Sequence, residues 1–169
     1  MFKINFKKNF INLVIVLVVF ITDRVSKIYI LKIAELENKV DIYLTPYLNI
    51  YLIWNKGIAF GLLSFNEVFI YNIVTLIIVV ITTAVLVMIV KNIGIKRNSL
   101  LLVFGGSLGN LFDRIYYSAV PDFIDLHINN FHWFIFNVAD IFITLGIICL
   151  IFAEIFNNNN NNKNNEKAF

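Results

Sequence analysis

The chain has 169 residues, 59% of them hydrophobic and 15% charged, with a mean hydropathy of +0.79, a balance that excludes an ordinary soluble domain and requires a membrane protein. The net charge of +3 and pI near 9.0 do not point to nucleic acid, because the lysines stand in short groups beside apolar runs rather than along one basic face. The single cysteine, Cys149, excludes an intrachain disulfide and a cysteine-rich metal site.

Lys3, Lys7 and Lys8 precede an apolar run with no small-residue cleavage site after it, so residues 9–22 read as a retained first span. The run ends in TDRVSKIYIL. There Asp23, Arg24 and Lys27 either mark the exit into headgroups, snorkelling, or support a site. Residues 40–63 change character: Tyr43, Tyr47, Tyr51, Trp54 and β-branched residues partly alternate, punctuated by Pro46 and Gly57, which predicts a small sheet at the headgroup level. Residues 68–90 form the clearest span, long enough to cross the hydrocarbon core and closed by Lys91, Lys96 and Arg97. Further spans are predicted over 99–114 and 131–156. The Asn-rich segment 157–169 has no apolar surface to bury and is expected to be disordered.

In this four-span arrangement Lys3, Lys7, Lys8, Lys91, Lys96, Arg97, Lys163 and Lys167 fall on one side, which predicts cytoplasmic termini. The loops 23–66 and 115–130 then lie outside the cell, and so does any chemistry they carry.

Four acids, Asp113, Asp122, Asp125 and Asp140, sit inside or between strongly apolar segments, where a carboxylate needs a partner or a wet cavity. In the third span Gly105 and Gly109 form a G-x-x-x-G pair that admits a neighbouring helix. Asn110, Asp113 and Arg114 share one face, with Gly106 a turn earlier leaving room. Asp113 reads most simply as the neutralising partner of Arg114, while Arg114 and Asn110 offer donors to carbonyls or to a carboxylate. In the fourth span Asn137 and Asp140 face the same way, and Asp140 has no basic residue within a turn, so it must be protonated or share a proton with another acid. Asp122, in the extended run VPDFIDL, is the natural second acid. Its competitor Asp125 lies an odd number of residues away and points to the opposite face of a strand. His127 and His132 have no helical spacing to each other, and no metal or cofactor is expected.

Two adjacent carboxyls hold one proton between them at neutral pH. The ionised member can activate a water against a peptide carbonyl while the protonated one supports the oxyanion, so no covalent intermediate is needed. Two other classes compete. Asp113, Asp122, Asp125 and Asp140 could hold Mg²⁺ in an enzyme acting on lipid headgroups, or Asp140 could carry a proton in a small transporter. A transporter would be expected to show repeated halves and broken helices, which this sequence lacks.

The segments NKGIAFG (55–61), GGSLGNLFDR (105–114), VPDFID (120–125) and FNVAD (136–140), with TDRVSK as a weaker fifth, resemble the successive motifs of the lipoprotein signal peptidase (signal peptidase II) family. The resemblance covers roughly residues 20–145. It implies a bacterial inner-membrane aspartic endopeptidase of four transmembrane helices and a small extracytoplasmic β-cradle. Such an enzyme cuts prolipoproteins before their diacylglyceryl-modified cysteine, acts as a monomer among membrane lipids, and is inhibited by globomycin. Carried over, the catalytic dyad falls on Asp122 and Asp140, and supporting or substrate-contacting positions fall on Asp23, Lys27, Asn55, Gly106, Asn110, Arg114 and Asn137. Ile58 and Pro121 stand where the family usually has a small and an aliphatic residue.

Overall fold

The computed structural model describes residues 6–57, 68–129 and 131–166, so Lys3, Ile58, Gly61, Lys167 and the 58–63 part of the expected sheet lie outside the described residues. Helix α1 spans Phe6–Glu37, strands β1 and β2 span Asp41–Thr45 and Leu48–Asn55, and helix α2 spans Val68–Lys91. Helix α3 follows over Gly94–Tyr117, strands β3 and β4 over Val120–Ile128 and Phe131–Phe136, and helix α4 over Val138–Glu166.

Two stretches, Tyr71–Lys91 and Val138–Phe156, are long and apolar enough to cross a membrane. In α2 the inward stripe is narrow: Val74, Ile78, Thr82, Val85 and Ile89 recur at three- and four-residue spacing, while Leu76, Ile77, Val80, Ile81 and Val87 are exposed. Apolar side chains on both sides of a helix belong to an element with protein on one flank and lipid on the others.

Helix α3 is the hub and touches each of the other three helices. Its glycines set the approach: a Cβ at Gly105 would meet Val19 of α1 at 2.8 Å, and one at Gly106 would meet the Ala139 carbonyl of α4 at 2.6 Å. The G-x-x-x-G pair thus packs on α1, since a Cβ at Gly109 would strike Asp23, and Gly106 is reserved for α4. A core of Val85, Ile89, Leu100, Leu101 and Val103, joined by Ile15, Val16, Ile143 and Leu150, ties all four helices together at one end. At the other end Ile30, Val40 and Phe123 join α1 to the sheet.

The sheet is a four-stranded antiparallel meander in the order β1-β2-β3-β4. It takes in more chain than the 40–63 region. VPDFIDLHI forms β3, and FHWFIF, expected to open the fourth span, forms β4. Aromatic and β-branched residues suit a pleated surface, and Asn137 then caps the helix that begins at Val138. Three further boundaries differ from expectation. Helix α1 does not stop at residue 22, because the charges of TDRVSK find partners inside the bundle. Helix α3 begins at Gly94 rather than at 99 and ends with Ser118 in the left-handed conformation, φ 55°. Helix α4 runs on to Glu166, where disorder was expected.

Candidate active site

Asp122 and Asp140 line one cavity of about 500 Å³, together with Asn55, Asn110, Arg114 and Asn137. Strand β3 directs Asp122 into it, and the first turn of α4 supplies Asp140. Apart from Thr144 the rest of the wall is apolar, including Phe134, Phe136, Ile141 and Leu145.

Asn137 is the joint between the two acids. It caps α4: its Oδ1 accepts the Asp140 backbone N–H at 3.2 Å, and its own backbone N–H donates to Asp140 Oδ2 at 3.1 Å. This is a reciprocal capping box, in which side chain and backbone satisfy each other's orphan groups. The Asn137 side-chain nitrogen Nδ2 donates across to Asp122 Oδ1 at 2.6 Å. Asn55 Nδ2 donates to the other Asp122 oxygen at 3.0 Å, and Asn110 Nδ2 donates to Asp140 Oδ1 at 2.8 Å. Neither carboxyl has a cation in direct contact among the described residues. Burial first, then the charge of Asp140, push the Asp122 carboxyl up from 3.8 to about 6, against the Asn137 and Asn55 amides and Lys27.

Behind this cavity lies a buried group of ions. Lys27 Nζ donates to Asp23 at 3.0 Å, to Asp113 at 2.6 Å and to Asn110 Oδ1 at 2.9 Å. Arg24 donates to both Asp23 and Asp113, and lies over the Phe112 ring. Two cations therefore balance two carboxylates, which makes their burial tolerable. Asp23 also accepts the Ala139 backbone N–H at 3.0 Å, fixing the start of α4. Lys27 orients the Asn110 amide, which in turn holds Asp140. Asp23, Lys27 and Gly106 thus sit behind the cavity rather than in its wall.

Asp113 is not the partner of Arg114, as adjacency in sequence had suggested. Successive helical residues diverge by about 100°, so Asp113 faces α1 while Arg114 turns towards the sheet. Arg114 Nη2 donates to the Gly57 carbonyl at 2.8 Å, and its Nε and Nη1 have no hydrogen-bond partner among the described residues. It holds the turn after β2 against the cavity. Arg24, which the sequence leaves open between an interface charge and a site-supporting residue, supplies the second cation of this group. Tyr71, whose hydroxyl donates to the Arg114 carbonyl at 2.8 Å, gave no signal at all. Asp125 lies on the other side of the sheet, within 2.8 Å of His132.

Residues 15–156 match the family described as signal peptidase (SPase) II. The chain is 59% identical over 165 residues to a lipoprotein signal peptidase of Pelagibacter ubique, covering 98% of each. It is 37% identical over 159 residues to one of Anaplasma phagocytophilum, covering 88% of this chain and 94% of that one. Two solved structures, both of bacterial membrane enzymes, superpose with TM-scores of 0.67 and 0.64 at 30% and 31% identity, covering 88% and 84% of this chain and 90% of each of theirs. A family match over most of the chain, relatives this similar over nearly full length, and a shared fold leave one assignment: the chain belongs to the signal peptidase II family.

Proposed function

We propose that the chain removes the signal peptide from prolipoproteins by hydrolysing the bond before the diacylglyceryl-modified cysteine, with Asp122 and Asp140 as the catalytic dyad. The observation that carries this reading is the pair of carboxyls lining one cavity, each gripped by asparagine amides and joined through Asn137. Each Asp122 oxygen accepts one amide hydrogen and keeps a further acceptor site for a water.

With one proton between the two carboxyls, the ionised member takes a proton from that water as its oxygen attacks the scissile carbonyl. The protonated member donates to the developing oxyanion. Collapse of the tetrahedral intermediate returns a proton to the departing cysteine nitrogen, and the dyad ends with the one proton it began with. No metal or cofactor enters this cycle. Phe134, Phe136, Ile141 and Leu145 offer the apolar wall that a signal peptide and acyl chains require. Asp23, Lys27, Asn110 and Asn137 hold the acids in place, and Arg114 and Asn55 connect them to the β2 turn.

In the same reading the four helices cross the inner membrane, both termini are cytoplasmic, and the sheet with the dyad faces outward. Lys91, Lys96 and Arg97, at the junction of α2 and α3 and so at the end away from the sheet, support this. The enzyme works as a monomer among lipids, and globomycin inhibits it. A gel-shift assay with purified protein and a lipidated prolipoprotein tests the dyad. Asp122→Asn and Asp140→Asn should each abolish cleavage, and the double variant should be no worse than either single one. Near wild-type turnover in either variant would remove that carboxyl from the chemistry.

A further inference from the structure

Away from the cavity, the sheet carries a second cluster of ionisable groups. Side chains alternate along β3, so Asp125 and His127 stand on the face opposite to Asp122. In an unbroken register His127 would pair with Trp133. Instead the pairing passes from Leu126–Phe134 to His127–His132, which leaves Trp133 as a bulge. Bulges of this kind re-aim side chains, and this one brings His132 to Asp125 and His127.

His132 Nδ1 lies 2.8 Å from Asp125 Oδ2, and His127 Nδ1 lies 3.8 Å from the same oxygen. The two rings stack with centroids 5.4 Å apart, and one ligand atom from each of the three residues lies within 4.8 Å of the others. A His–Asp hydrogen bond accounts for His132 and Asp125 only. It leaves two buried polar atoms without a hydrogen-bond partner among the described residues: His127 Nδ1, and Oδ1 of Asn49, which β2 registers directly opposite Asp125. A buried imidazole nitrogen turned towards a carboxylate and bonded to nothing is costly, and calls for an explanation such as an ion.

We propose that Asp125, His127 and His132 bind one divalent transition-metal ion, with Zn²⁺ the best match to two imidazole nitrogens and one carboxylate oxygen. Zn²⁺ binds such donors at about 2.0–2.2 Å, and imidazole disfavours Mg²⁺ and Ca²⁺. Both rings ligate through Nδ1 as their neutral Nε2–H tautomers, so the ring proton that a neutral His132 holds between Nδ1 and Asp125 is exchanged through solvent to Nε2, with no net release. Asp125 is 1% exposed and His127 8%, whereas the His132 side chain is 56% exposed. The first two form the floor of the site. His132 is free to turn as the entering ion draws the three groups together. Three protein ligands leave a fourth position for water, with the Asn49 oxygen beside Asp125 as an acceptor. The ion would link β3 to β4 and take no part in hydrolysis, because the candidate dyad lies on the opposite face.

The test uses the full-length chain in detergent, free of any affinity tag and stripped with chelator. Zn²⁺ affinity is read by competition with a chromogenic chelator, stoichiometry by elemental analysis, and thermal unfolding is followed with and without ZnCl₂. One equivalent should bind to the wild type, at least about tenfold more tightly than to His127→Gln or His132→Gln. Zn²⁺, and not Mg²⁺, should raise the unfolding temperature of the wild type alone. His132→Gln also loses a hydrogen bond to Asp125, so His127→Gln, whose Nδ1 has none to lose, is the deciding variant. Absence of saturable binding at one equivalent, or equal affinity in wild type and His127→Gln, would overturn the proposal.

Discussion

Asp122 is held in a place that does not suit a charge, and this has a measurable consequence. Its carboxyl is pushed up from 3.8 to about 6 by burial and then by Asp140. Between those two pH values the folded protein retains a proton that the unfolded chain has released. Stability therefore falls as pH rises through this window, and the whole loss, about 3 kcal/mol at most, is present above about pH 6. Asp122→Asn removes the titration. It also sets one amide oxygen against two donors, Asn55 and Asn137, but that mismatch is the same at every pH. The prediction is accordingly a slope: between pH 4.5 and 7.5 the unfolding temperature of the wild type should fall relative to that of Asp122→Asn. Parallel curves for the two proteins in detergent would show that burial of this carboxyl does not set its proton affinity. At this scale the sequence was informative, since an acid amid apolar neighbours needs a reason. The bridging role of Asn137 was not legible, because it depends on β3 and α4 meeting, and 15 positions separate Asn137 from Asp122.

Among the elements, α2 was plain from its length and hydropathy, and the extended character of 40–55 from its alternation. The sequence predicts an end to α1 at residue 22 because a cluster of charges resembles an exit from the membrane. Whether Asp23, Arg24 and Lys27 face water or one another is decided by Asp113, 86 positions beyond Lys27, and no local pattern reveals that partner. The sequence merges strand β4 with the fourth span for a related reason: five of its six residues are apolar, and so short a run has no period that separates strand from helix. The seam between α1 and α3 also separates two neighbouring residues by role. Asp113→Asn leaves Arg24 and Lys27 sharing one carboxylate in a buried setting, which should cost about 3–5 kcal/mol. Arg114→Ala breaks no ion pair among the described residues but releases the turn at Gly57, so its loss should fall mainly on cleavage. Unfolding temperature and turnover measured on both variants check this. The idea fails if Asp113→Asn is fully stable, or if Arg114→Ala unfolds first while retaining its turnover.

For the molecule as a whole, the arrangement of helices, sheet and cavity bears on why a substrate should carry lipid. Helix α4 starts at Val138, so Asp140 lies within the first turn of the stretch Val138–Phe156, and the sheet stands immediately beyond that end. The proposed dyad therefore sits where an apolar stretch long enough to cross a membrane gives way to the sheet. Two acyl chains of about sixteen carbons, at about 0.8 kcal/mol per buried methylene, hold a diacylglyceryl cysteine at the bilayer surface before any enzyme is met. Most of those carbons are buried in the bilayer already, so moving them along Phe134, Ile141 and Leu145 adds little contact energy. Confinement is the larger effect, because a peptide bond kept near the depth of Asp122 and Asp140 has fewer positions to search. Cleavage should accordingly fall steeply for a prolipoprotein that lacks the diacylglyceryl group, even when its signal helix inserts normally. The measurement is kcat/KM for lipidated and unlipidated substrates in the same bilayer, with insertion verified for both. Equal values would show that the peptide alone sets the depth, and that the β1–β2 hairpin and the Arg114-anchored turn after it, not the lipid, bring the bond to the carboxyls.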